Sequence, residues 1–83
     1  MMKFYNTALE EQETTINILY SEKILCIYSS RKSIILRLEK KLGKPTEVFT
    51  TKELVTGVKW EIPFKDKNKI RIALSKTLLI GQL

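Results

Sequence analysis

The stretch KILCIYSSRKSIILRLEKKLG, Lys23–Gly43, decides the architecture, because it reads as a strand running directly into a basic amphipathic helix. Ile24, Cys26 and Tyr28 alternate with Leu25 and Ile27, the period of a strand. From Ser30 onward the period changes. Ile34, Ile35, Leu38 and Leu42 recur at helical spacing and predict a helix over Arg31–Leu42, with Ser30 as its N-cap. Gly43 stands where a helix favours a left-handed residue, and Pro45 forbids continuation.

Working outward, a related pattern returns thirty-six residues later. Ile24, Cys26 and Tyr28 fall on Trp60, Ile62 and Phe64, and Ile34, Leu38 and Leu42 fall on Ile70, Leu74 and Leu78. Ser30 falls on Asp66, a second N-cap residue, and Lys23 and Lys40 on Lys59 and Lys76. Either an ancient duplication or shared strand-helix patterning accounts for this.

The remaining segments complete two hairpin-helix units. Thr14–Tyr20 alternates as a half-buried strand, and Ser21-Glu22 is a plausible tight turn into the strand Lys23–Ser29. Thr46–Lys52 reads as a third strand, Thr56-Gly57 as a turn, and Val58–Phe64 as a fourth strand. Pro63 belongs at that strand's end or at an edge. Asp66 caps a second helix over Lys67–Lys76. The expected fold is therefore a single α+β domain of order β-β-α-β-β-α: a four-stranded, mostly antiparallel sheet with both helices on one face. Residues 1–13 form an acidic lead-in on which Phe4, Tyr5 and Leu9 could dock. Residues 14–43 and 46–76 are the two units, and residues 77–83 form an apolar tail that must pack on this chain or on another.

The alternation assigns Ile24, Cys26, Tyr28, Tyr20, Trp60, Ile62 and Phe64 to the core beneath the helices. Leu19, Leu25, Ile27 and Phe49 then fall on the open face, an apolar patch suited to a partner or a homodimer contact.

Composition narrows the chemistry. The chain of 83 residues is 43% hydrophobic and 29% charged, as expected of an ordinary soluble domain. It has one cysteine and no histidine. That removes the commonest general base, the Ser-His and Cys-His dyads, and a structural zinc site. A catalytic thiol at Cys26 would need a cationic neighbour, and none is visible. Glu10, Glu11 and Glu13 read as a solvated tract rather than a metal site. The expectation is a non-enzymatic protein with no metal, cofactor or small-molecule substrate. No membrane-spanning run and no secretory h-region are present, so a cytoplasmic setting in a bacterial host is expected.

Charge is placed unevenly. Residues 1–30 hold two basic and four acidic side chains, a net of −2, whereas residues 31–83 hold thirteen and five, a net of +8. The predicted helices carry most of the excess: Arg31, Lys32, Arg37, Lys40, Lys41 and Lys44 on the first, Lys67, Lys69, Arg71 and Lys76 on the second. Laid side by side, they would form one cationic surface for an anionic partner, either nucleic acid or an acidic protein surface. Lysine and arginine also populate any solvated helix face, which is the plainer reading. A sheet that stacks single-stranded nucleic acid would need aligned aromatics, and Phe49 alone is placed there.

The segments EEQETTI, ILCIYSS, LEKKLGKP, VKWEIPFKDK and LLIGQ resemble small proteins carried by phages and mobile elements of low-GC Gram-positive bacteria. These motifs are hydrophobic and turn residues, so the resemblance speaks to fold. Small single-domain proteins of such elements are often inhibitors of host defence or transcription, anti-CRISPR proteins among them. The resemblance thus implies an anti-CRISPR-type inhibitor occupying a host effector. A net charge of +6 departs from the acidic DNA-mimicking kind. A small nucleic-acid-binding accessory or regulatory protein is the alternative, and a structural subunit building an oligomer is a third.

Overall fold

The computed structural model describes residues 3–5, 8 and 11–75. Its elements are β1 (Thr14–Leu19), β2 (Ile24–Ser29), α1 (Lys32–Leu42), β3 (Glu47–Thr51), β4 (Leu54–Pro63) and α2 (Lys67–Ala73). The strands form one antiparallel sheet in the order β1-β2-β4-β3, with the helices packed against its one face and against each other. The expected fold class and element order hold.

The facing of β2 does not. In the β2–β4 ladder, Leu25 lies opposite Ile62 and Ile27 opposite Trp60. Directly opposed residues share a face, so Leu25, Ile27 and Ser29 point to the helices together with Val58, Trp60 and Ile62. Leu25 is 2% exposed and Ile27 is fully buried, whereas Ile24, Cys26 and Tyr28 are half-exposed on the open face. The expected assignment was inverted because both alternating sets of β2 are apolar, so the pattern itself could not choose.

The helices close the core with Ile34, Ile35, Leu38 and Leu42 from α1 and Ala73 from α2, with Ile70 and Ile72 packed at its margin. Leu74, which the thirty-six-residue match sets on the core position Leu38, is 49% exposed, because α2 ends at Ala73, short of the anticipated Lys76. Trp60 sits in this core with its indole N–H donating to the Gly43 carbonyl at 3.1 Å, which satisfies its one buried donor. Gly43 has φ 85° and ψ −151°, a conformation open essentially to glycine alone, and its amide closes α1 onto Glu39.

Capping differs between the helices. Asp66 accepts from the Lys69 amide at 3.2 Å, the expected cap. Ser30 does not cap α1; the N-cap is Arg31, without a side-chain cap bond. Ser30 Oγ instead accepts from the Glu13 amide at 2.9 Å, tying the start of β1 to the end of β2. Buried Ser29 receives the Arg31 amide at 3.1 Å and shares a hydrogen bond with Thr14 Oγ1 at 2.9 Å.

Thr56-Gly57 is no turn. The ladder steps from Phe49↔Gly57 to Thr50↔Val55, so Thr56 is an extra residue in β4, a bulge that Thr56 Oγ1 ties to the Phe49 carbonyl at 3.2 Å. The chain reverses earlier, at Lys52-Glu53, both of which have positive φ (51° and 68°). That two-residue geometry suits Asn-Gly, which is why Lys-Glu gave no turn signal. The first hairpin turns over Tyr20–Lys23, around the expected Ser21-Glu22, with the Lys23 amide donating to the Tyr20 carbonyl. Pro63 ends β4, where its missing donor costs the ladder least. Tyr20 and Phe64 lie past the ends of their strands and meet edge to face at 6.4 Å rather than in the core.

Part of the lead-in docks as anticipated. Beyond the end of β2, Phe4 bridges β4 at Val55, whose carbonyl accepts from the Tyr5 amide, and Phe4 packs against the core. Tyr5 itself stays exposed. Leu9 and residues 76–83, including the apolar tail, lie outside the described residues.

Candidate functional site

The cations follow from the folding of the helices. Once Ile34, Ile35, Leu38 and Leu42 face the sheet, Arg31, Lys32, Arg37, Lys40 and Lys41 must face water, with Lys44 just beyond; all are exposed. Lys67, Lys69 and Arg71 are exposed on α2 in the same way, while Lys76 lies outside the described residues. The packing of α1 against α2 brings the two sets into one layer. Arg37 with Lys41, and Lys67 with Arg71, stand at i, i+4, where like charges destabilise a helix by roughly 0.2–0.5 kcal/mol per pair. Lys40 and Lys41 partly offset this by complementing the helix C-terminus.

None of these cations is neutralised by an ion pair among the described residues. The ion pairs there belong to Lys59 on the open face, held by Glu47 at 3.2 Å and Glu61 at 3.6 Å. The hydrogen bond that Lys59 donates to Glu47 is the main cause of the upward shift of the Lys59 pKa. Two helix-layer cations have local roles: Lys32 Nζ sits 5.5 Å above the Phe4 ring, and Arg31 Nε donates to Ser33 Oγ at 3.1 Å. Arg37, Lys40, Lys41, Lys44, Lys67, Lys69 and Arg71 are left presenting uncommitted charge.

The open face differs from the expected patch. Leu25 and Ile27 are core residues and contribute nothing to it. Leu19 and Phe49 are there and exposed, joined by Ile24, Cys26 and Tyr28. Tyr28 and Phe49 meet at 5.9 Å with their planes 62° apart. The Tyr28 ring lies over Gly57, where any Cβ would strike it. The alternation of the sequence places Tyr28 inward and so does not predict this pair; Gly57, beside the bulge at Thr56, is the residue whose missing side chain makes room for the ring. The rings meet edge to face, so they do not present the parallel surfaces on which successive bases stack.

Cys26 faces its cross-strand neighbour Glu61, with Sγ 3.8 Å from Oε2. Desolvation first, and then Glu61, push its pKa up, the reverse of what a nucleophilic thiolate requires. Among the described residues no group of three His, Cys, Asp or Glu side chains could hold a metal ion, and no helix is long and apolar enough to cross a membrane. No family model, curated protein or solved structure matches the chain.

Proposed function

We propose that this chain is a non-catalytic binding protein that occupies the anionic surface of a larger partner with its helix layer. In the phage or mobile-element setting that its sequence resembles, it acts as an anti-CRISPR-type inhibitor of a host defence effector. The observation that supports this reading is the run of exposed, unpaired cations on α1 and α2, where like charges adjoin at a cost to the helices. Charge reversal at Arg37, Lys41 and Arg71 is expected to abolish capture of, and interference with, effector complexes, while circular dichroism and melting stay unchanged. Undiminished inhibition by the triple variant would overturn the assignment.

The same unpaired rows favour a second reading, a small nucleic-acid-binding accessory protein whose Lys and Arg contact phosphates. Titration with labelled single- and double-stranded DNA and RNA at two salt concentrations separates the readings. Phosphate contacts give an affinity that falls steeply with salt, with a slope of about 0.9 per duplex phosphate neutralised. Absence of binding at low salt would leave the protein partner as the reading.

A further inference from the structure

The two edges of the sheet are protected unequally. Edge strands expose unpaired backbone groups, and proteins usually blunt them with charge, proline or a bulge. β3 carries the ion-paired Glu47, and its ladder with β4 is broken by the bulge. β1 reads TTINIL, without charge or proline, and keeps an unbroken register with β2 over all six residues.

Its outward backbone groups can be identified. The Glu13 carbonyl accepts from the Ser30 amide at 2.9 Å, one residue before the strand. Antiparallel ladders alternate, so Thr15, Asn17 and Leu19 direct N–H and C=O to β2, and Thr14, Ile16 and Ile18 direct theirs away from the sheet. Among the described residues no strand pairs with that edge. The side chains of Ile16 and Ile18 lie on the helix side, opposite buried Ile27 and Leu25, yet they remain 37% and 44% exposed.

We propose that a second copy of this chain covers this edge, β1 pairing antiparallel with β1 about Asn17 into a continuous eight-stranded sheet. That register sets Ile16 opposite Ile18 of the second copy, twice, and pairs the groups that point outward. Charge permits it: in a chain of net +6 the six residues of this edge are uncharged and the cations stand on the helices, while Glu13, set beside Glu22 of the second copy at each end, limits the strength of the contact. Six paired residues run about 20 Å. A contact of one short strand pair is small beside the roughly 1,000 Å² that specific, stable interfaces bury, so a reversible dimer is expected. The twofold axis stands perpendicular to the sheet, so both basic helix layers face the same way, whatever they bind.

Sedimentation velocity on the full chain from 1 to 500 µM tests this, with amide hydrogen exchange read at both ends of the range. The wild type should shift from monomer to dimer mass, with the Ile16 and Ile18 amides gaining protection as it does. An Ile16→Lys, Ile18→Lys variant should stay monomeric and folded by circular dichroism, melting somewhat lower because two half-buried side chains are lost, and Phe49→Glu should dimerise normally. A wild type monomeric at 500 µM would overturn the proposal. So would dimerisation lost in Phe49→Glu but kept in the lysine variant, which would move the contact to the open face. Protection of both amides in the monomer would mean that residues 76–83 or the lead-in cover the edge in cis, and would equally overturn it.

Discussion

The two hairpin-helix halves follow one plan but execute it differently. The order β1-β2-β4-β3 reads the same when the halves are exchanged, with a pseudo-twofold axis between β2 and β4. The correspondence runs at thirty-five residues. Leu25 matches Trp60, Ile27 matches Ile62, Ile35 matches Ile70, Leu38 matches Ala73, and the N-caps Arg31 and Asp66 fall together. The thirty-six-residue match of the sequence pairs outward Ile24 with inward Trp60, and buried Leu38 with exposed Leu74. The first half has an unbroken hairpin, with one left-handed residue (Lys23) in its turn, and an eleven-residue helix; the second has a turn with two left-handed residues, a bulge and a seven-residue helix with a proper cap. One plan therefore tolerates quite different local chemistry, provided the inward positions are kept.

The strongest way to break the comparison is to place a charge on either side of β2. Ile27→Asp puts an unpaired carboxylate in the core opposite Trp60 and should unfold the domain, a loss above about 4 kcal/mol. Ile62→Asp, its counterpart, should do the same. Ile24→Asp, on the open face, should cost about 1 kcal/mol or less. Urea denaturation followed by circular dichroism separates these outcomes. An intact Ile27→Asp beside an unfolded Ile24→Asp would restore the thirty-six-residue facing.

That test bears on what the sequence made legible. The helix stripe of α1, the Gly43 stop, the Asp66 cap and the β4 alternation were readable because each rests on one local rule, and all four hold. The facing of β2 was not readable, since ILCIY offers apolar residues to both faces and only the partner strand decides. The turn at Lys52-Glu53 and the bulge at Thr56-Gly57 were illegible for the opposite reason. Left-handed Lys and Glu violate turn preference and are imposed by the hairpin, and glycine signals a turn and a bulge alike. The cations were legible as exposed from the helix period alone, whereas Tyr28 beside Phe49 needed the corrected register.

The irregularities of the second half allow the comparison to be sharpened. Gly57→Ala drives a Cβ into the Tyr28 ring and should cost about 1–3 kcal/mol. Adding Tyr28→Ser should recover most of that loss in a double-mutant cycle. At the strained turn the sign reverses. Lys52→Asn with Glu53→Gly should stabilise by about 1 kcal/mol, as left-handed strain is relieved; no rise in the denaturation midpoint would count against the turn geometry. For the caps, Asp66→Ala should cost about 1 kcal/mol, and Arg31→Asp should gain about 0.5–1 kcal/mol by supplying α1 with the cap it lacks. Thermal melts resolve both, and equal responses at the two positions would erase the difference between the helix starts.

The smallest effect lies at the pseudo-twofold axis, where Cys26 and Glu61 are both cross-strand partners and counterparts at thirty-five residues. A thiol stands here opposite a carboxylate, so the halves differ even where they meet. Burial and Glu61 raise the thiol pKa above its ordinary 9.0. A raised pKa in the folded state means that the folded chain holds this proton longer than the unfolded chain. The associated stability is complete below the unfolded value and is lost as pH rises through the folded one. Iodoacetamide should therefore label Cys26 more slowly in the native protein than in urea across pH 8–9.5. Glu61→Gln should shift the native labelling profile to lower pH without closing the gap, because desolvation remains. An unshifted profile in that variant would show that Glu61 does not act on the thiol, and that burial alone distinguishes this position from its counterpart.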